Sequence, residues 1–174
     1  MAVLPIRLYG DPVLRAKAKK VEKFDEELRE FIASMIETMH AAEGIGLAAP
    51  QVGVSRALCV IDVGLIEEGQ LPKAFINPVI HASSQETDVR EEGCLSIPGI
   101  TEDVRRPQGI RLSYQDEFGV EHELECQGLL ARVLQHEIDH LHGVFFTDKL
   151  SSIKRKMLSK KLRNIARDAQ KEKA

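Results

Sequence analysis

Apolar residues recur along the chain with two periods, one near three to four residues and one of two, and the switches between them predict most of its elements. After Asp25, a residue suited to cap a helix, Leu28, Phe31, Ile32, Met35, Ile36 and Met39 follow the spacing of one helical stripe. They predict an amphipathic helix over 25–42, closed by Gly44. Residues 57–63 are a short β-branched apolar run, which reads as a buried strand with Cys59 as a core residue within it. A second strand is expected over 75–80, where Pro78 argues for a sheet edge because proline cannot donate to a ladder. Ile110, Leu112 and Tyr114 alternate with polar residues, as do Val120, His122, Leu124 and Cys126. With a turn at 116–119 between them they form a hairpin, with His122 and Cys126 on its inner face. Leu129, Val133, His136 and His140 then share one face of a helix over 128–141. A rougher stripe of Ile153, Met157, Leu158, Leu162 and Ile165 runs through a last helix over 150–170. Strands between helices in this order predict an α+β fold with antiparallel β-sheets packed around a central helix, flanked by an N-terminal and a C-terminal helix.

A length of 174 residues suits a single domain. We expect a catalytic domain over 1–148, followed over 149–174 by a basic C-terminal helix or tail of the same domain. Charge alters the picture only at that end. The whole chain carries −3, yet ten basic and two acidic residues lie between Lys149 and Ala174, giving +8 there and −11 before it. The overall balance argues against a generally basic nucleic-acid-binding protein. No apolar run is long enough to span a bilayer and the first residues do not read as a secretory signal, so the expected location is cytoplasmic, without a membrane partner. Cys59, Cys94 and Cys126, at unrelated spacings, do not read as a disulfide framework.

The chemistry concentrates in Gln135-His136-Glu137-Ile138-Asp139-His140. On a helix, side chains at i and i+4 sit on adjacent turns, so the two imidazoles can reach one ion while Glu137 stands beside it as a free base. A catalytic site needs a third ligand, and Cys94 in Glu91-Glu92-Gly93-Cys94-Leu95-Ser96-Ile97-Pro98-Gly99 is the candidate, expected in an irregular loop. Taken alone it reads more plainly as a buried free cysteine. A Cys-His-His set leaves a fourth tetrahedral position open, and by ligand type alone it favours Zn²⁺. An upstream cysteine separates the chain from endopeptidases that complete the same helix motif with a downstream His or Glu. A base beside an open position argues against a metal-containing binding module without catalysis. Gly44-Ile45-Gly46-Leu47-Ala48-Ala49-Pro50-Gln51-Val52-Gly53 has the letters of a dinucleotide loop but follows a helix and meets Pro50 at once, which rules that reading out. It reads either as a tight turn of small residues or as a loop whose backbone approaches a ligand, with the Gln51 amide alongside.

Together, these three stretches resemble in order and approximate spacing the three signature motifs of the peptide deformylases. Gly10-Asp11-Pro12-Val13-Leu14-Arg15, Asn77-Pro78, Arg106-Pro107 and residues 128–148 are similar to that family as well. The resemblance implies a metallohydrolase that removes the N-formyl group from N-formylmethionyl nascent polypeptides and releases formate. It makes Cys94, His136 and His140 the ligands of one divalent ion, Fe²⁺ as the usual native metal with Zn²⁺, Ni²⁺ or Co²⁺ able to replace it. It makes Glu137 the acid/base, and Gln51 and the backbone N–H of Leu95 the oxyanion donors. The formyl-Met peptide would lie extended beside Ile45 and Gly46, with its methionine side chain against Ile45, Leu129 and Val133. Arg132 is a polar residue where an apolar one would be expected near that pocket. Glu92 and Arg106 read either as a pair that holds the Cys94 loop or, more plainly, as a solvated charge pair. Action on nascent chains also implies a transient ribosome contact through the basic C-terminal segment; a solvated helix docked by its apolar stripe is the plainer reading of it.

Overall fold

The computed structural model describes residues 2–173, so Met1 and Ala174, the outer ends of the two expected segments, lie outside the described residues. Helix α1 (Glu26–Ala41) starts where Asp25 accepts a hydrogen bond from the Leu28 N–H at 3.0 Å, with Glu26 and Glu27 in its positive first turn. It buries Leu28, Ile32, Met35 and Met39. The chain then forms a three-residue strand, β1 (Gly46–Ala48), a 3-10 turn over Ala49–Val52, and β2 (Leu58–Ile61). Next come β3 (Lys73–Ser83), β4 (Thr87–Cys94), β5 (Ile97–Pro107), β6 (Gly109–Gln115) and β7 (Glu121–Gln127). Strand β7 passes directly into helix α2 (Gly128–Leu141), and helix α3 (Ser152–Lys173) ends the fold.

Five strands pair antiparallel in the order β1-β2-β3-β6-β7, and β4 with β5 forms a separate two-stranded hairpin. Helices α1 and α2 cover opposite faces of the larger sheet. Leu58, Val60 and Ile76 pack with the α1 stripe, while Cys59, Ile61 and Phe75 pack with Leu130, Leu134 and Ile138 of α2. Burial on both faces is why β2 reads as a continuous apolar run. A third cluster joins Ile97, Ile100 and Val104 of β5 to Leu14, Phe145 and Phe146, and Leu158 and Leu162 of α3 dock onto it. Among the described residues no helix is long and apolar enough to cross a membrane.

The α+β architecture with a central α2 is the one expected, and four details differ. Pro78 lies inside the sheet rather than at its edge. A register shift between Ile76 and Val79 absorbs it, with Asn77 at φ 50°. The Asn77 side chain secures the bulge, accepting from Val21 N–H at 2.9 Å and donating to Val21 O and to Gln115 Oε1. Cys94 ends a strand instead of sitting in a loop, because β4 and β5 escape the hydrophobic pattern. His122 is exposed, since β7 is an edge strand and the core fades toward its turn; its ring stacks on Tyr114 and its Nε2 meets Asp116 Oδ2 at 2.7 Å. The buried stripe of α3 is Leu158, Leu162 and Ala169, whereas Ile153 and Met157 are exposed. Its close approach depends on Gly10, at φ 106°, where a Cβ would lie 2.7 Å from Ala166 Cα.

Candidate active site

Helix α2 places His136 and His140 on adjacent turns, and the end of β4 brings Cys94 against them. The thiol Sγ is 3.3 Å from His140 Nε2, and one ligand atom from each of Cys94, His136 and His140 falls within 4.8 Å of the others. His136 Nδ1 donates to Glu92 Oε1 at 2.9 Å; against the lowering effect of burial, hydrogen bonds to Cys94 and Glu92 push the ring up to about 10, so Nε2, on the Cys94 side, is the atom that would give up its proton to a divalent ion. Burial, helped by the charges of His136 and Arg106, holds the His140 imidazole well below the usual histidine range and hence neutral. A thiol and two imidazoles converging in this way fit a single divalent ion.

Glu137 points into the same space, 4% exposed, and its Oε1 has no hydrogen-bond partner. Burial pushes its carboxyl up to about 7, against the pull of His136 and Arg106. Gly46 of β1 packs directly on it, since a Cβ there would lie 2.7 Å from Glu137 Oε2. Gln51 is buried, with Oε1 accepting from the Ala48 N–H at 2.9 Å. Its Nε2 donates to Ser96 Oγ at 3.1 Å and reaches Cys94 Sγ at 3.5 Å.

These groups border a cavity of about 520 Å³. Residues 43–46 line it with Gln51, residues 91–94 and Leu95 line it from the hairpin, and Leu129, Val133, His136 and Glu137 line it from α2. Val133 is buried and Leu129 stands half-open at the rim. Every site residue expected from the sequence therefore borders the cavity except His140, which lies behind it within reach of Cys94.

Glu92 and Arg106 are not a solvated pair. Both are buried, with Arg106 Nε and Nη2 on the two Glu92 oxygens at 2.6 and 2.9 Å and Arg106 Nη1 on Asp139 at 2.8 Å. Burial alone would raise the Glu92 carboxyl, but hydrogen bonds from His136 and Arg106 outweigh it and hold the group at about 2. Arg132, the polar residue expected near the pocket, is 4% exposed and also donates to Glu92. Neither the Ser96 partner of Gln51 nor the steric role of Gly46 left a local signal, since both are contacts between segments distant in sequence.

A thiol and two imidazoles beside a buried carboxylate with a free oxygen, on the wall of a mostly apolar cavity, define a metal-dependent hydrolase. The sequence model of the polypeptide deformylase family matches residues 3–156. The peptide deformylase of Thermotoga maritima is 51% identical over 162 residues, covering 93% of this chain and 96% of that protein. That of Brucella suis is 46% identical over 166 residues, 95% of each. The crystal structure of the Thermus thermophilus peptide deformylase superposes with a TM-score of 0.88 at 44% identity, covering 96% of this chain and 99% of that one. The chain belongs to the peptide deformylase family. It is a metal-dependent hydrolase that removes the N-formyl group from nascent peptides.

Proposed function

We propose that Cys94, His136 and His140 hold the metal and that Glu137 is the acid/base of deformylation. The observation that carries this reading is the convergence of the three ligand atoms within 4.8 Å beside a buried carboxylate whose Oε1 has no partner. When bound, the ion supplies Lewis acidity and lowers the pKa of the attacking water. Glu137 takes the proton of that water through its free oxygen and returns it to the leaving amine. The Gln51 amide, fixed by the Ala48 N–H, and the backbone N–H of Leu95 stabilise the negative charge that grows on the formyl oxygen. Ile45 and Gly46 offer the outer side of β1 to an extended peptide, because among the described residues β1 pairs with β2 alone. Ile45, Leu129 and Val133 receive the side chain of formylmethionine.

Fe²⁺ is our reading of the native ion, with Zn²⁺, Ni²⁺ or Co²⁺ able to substitute. Residues 1–148 form the catalytic domain and 149–174 a basic C-terminal segment of the same domain, a reading supported by Leu158 and Leu162 of α3 in the cluster with Leu14 and Phe146. The setting is the cytoplasm, where the basic face of α3 makes transient contact with ribosomal phosphates. Glu137→Gln tests the central assignment. The variant is expected to keep its metal and lose formate release from a formyl-Met peptide by about 10²–10⁴-fold. A fully active variant would remove Glu137 from the mechanism.

A further inference from the structure

The three ligands come from two elements, Cys94 from the hairpin and His136 and His140 from α2, so their mutual geometry depends on how those elements are joined. Among the described residues no buried apolar cluster contains both; the rings of His136 and His140 reach the hairpin's cluster only at its edge, against Phe146 and Phe145. The buried apolar residues of α2 cluster with the five-stranded sheet, and those of β5 cluster with Leu14, Phe145, Phe146 and α3. The direct junction between α2 and the hairpin is instead mainly a set of charges around the buried Glu92, Arg106 and Arg132, with Gln135 Nε2 donating to Pro107 O at 3.0 Å beside it.

Arg132 holds the near end of that junction, one helical turn before His136. Its Nη1 donates to Glu92 and to Val104 O at 2.9 Å, and its Nη2 donates to Asp88 O at 3.0 Å and Asp88 Oδ1 at 2.9 Å. One guanidinium thus grips both strands of the hairpin, β4 through Asp88 and Glu92 and β5 through Val104. Arg106 holds the far end through Asp139, nearly one turn after His136. Glu92 sits between, carrying both arginines and His136 Nδ1. Arg132 also lines the cavity, a duty any apolar side chain of its length could perform. Burying its charged head is a poor way to gain stability, whereas its directional fork fixes orientation.

We infer that Arg132 is a positioning residue of the metal centre: it locks the hairpin bearing Cys94 to the helix bearing His136 and His140 and keeps Glu92 turned toward His136. This rests on the reading of those three residues as ligands. Groups one shell out from a metal commonly change its affinity by 10–100-fold.

The test uses Co²⁺ on the full chain, reading its affinity by chelator competition, its thiolate charge-transfer band, and the rise in Tm between the metal-stripped and Co²⁺ forms. Arg132→Met is expected to weaken Co²⁺ binding about tenfold, to alter the band and to shrink the Tm rise. Arg132→Lys, with charge but no fork, recovers part of each. Asp88→Asn, which takes the charge from a half-exposed partner of Arg132 while leaving it an oxygen, shifts all three in the same direction by less. A residue needed only for folding would lower Tm equally with and without Co²⁺ and leave affinity and band intact; that result would overturn the inference. If Arg132→Met does not fold, Asp88→Asn decides, and parental affinity and band in it would overturn the inference too. Absence of the thiolate band in the unsubstituted protein would instead overturn the ligand assignment, and the inference with it.

Discussion

Gly46 shows how little room Glu137, the proposed acid/base, has. A methyl group there would sit 2.7 Å from Glu137 Oε2, closer than a carbon and a carboxylate oxygen can approach, so the carboxylate would have to swing away. Displacements of about 1 Å in a catalytic group cost on the order of 10² in rate. Gly46→Ala is therefore expected to lower kcat for a formyl-Met peptide about 10²-fold while metal content, measured on the same preparation, stays that of the parent. Unchanged turnover would mean that Glu137 does not act from the position it holds here. The same contact marks a limit of reading the sequence. His136, Glu137 and His140 announce themselves through helical spacing, and Cys94 through its motif. The need for glycine at 46 comes from a helix far along the chain, and within the sequence a tight turn of small residues explains it equally well.

Elements were legible where the inner face is apolar. The stripe of α1 and the continuous run of β2 are written in Leu, Ile, Met and Val. The hairpin of β4 and β5 is not, because part of its inner face is made of the buried Glu92 and Arg106 with half-exposed Asp88 beside them, charges made tolerable there by Arg132 and His136 rather than by hydrophobicity. Its period of two is thus masked by charges that look solvated. Strand β3 misled in another way, since a proline that suggests an edge is accommodated by a bulge. That bulge gives a separable prediction. Asn77→Gly and Asn77→Ala both lose the bonds to Val21 and Gln115, but only alanine also meets the steric cost of φ 50°. Urea unfolding should find the alanine variant less stable than the glycine variant by about 1 kcal/mol. Equal stabilities would mean that the backbone relaxes out of the left-handed region.

At the scale of the whole molecule the charge is divided, +8 after residue 148 and −11 before it. Removing α3 would be a poor test of ribosome binding, because Leu158 and Leu162 close the cluster around Val104 and Phe146 and their loss would loosen the fold itself. Lys156, Lys160 and Arg163 are exposed and have no ion-pair partner among the described residues, so reversing them changes the field and spares the core. The triple Glu variant is expected to bind ribosomes more weakly and with a flatter salt dependence, the slope falling by roughly one for each phosphate that is no longer neutralised. Its rate on a short formyl-Met peptide should match the parent's. Ribosome binding with the parent's salt slope would rule out this face.

The cavity lies between two strands that each have a single partner among the described residues, β1 paired with β2 and β4 with β5. An extended peptide seated between residues 43–46 and 91–94 would be a missing middle strand, and for the time it stayed the two sheets would become one. The groups such a strand offers, N–H and C=O, are the same in every polypeptide. Beyond the pocket for its first side chain, the enzyme would hold its substrate by what all nascent proteins share, which is what an enzyme facing the output of an entire genome requires.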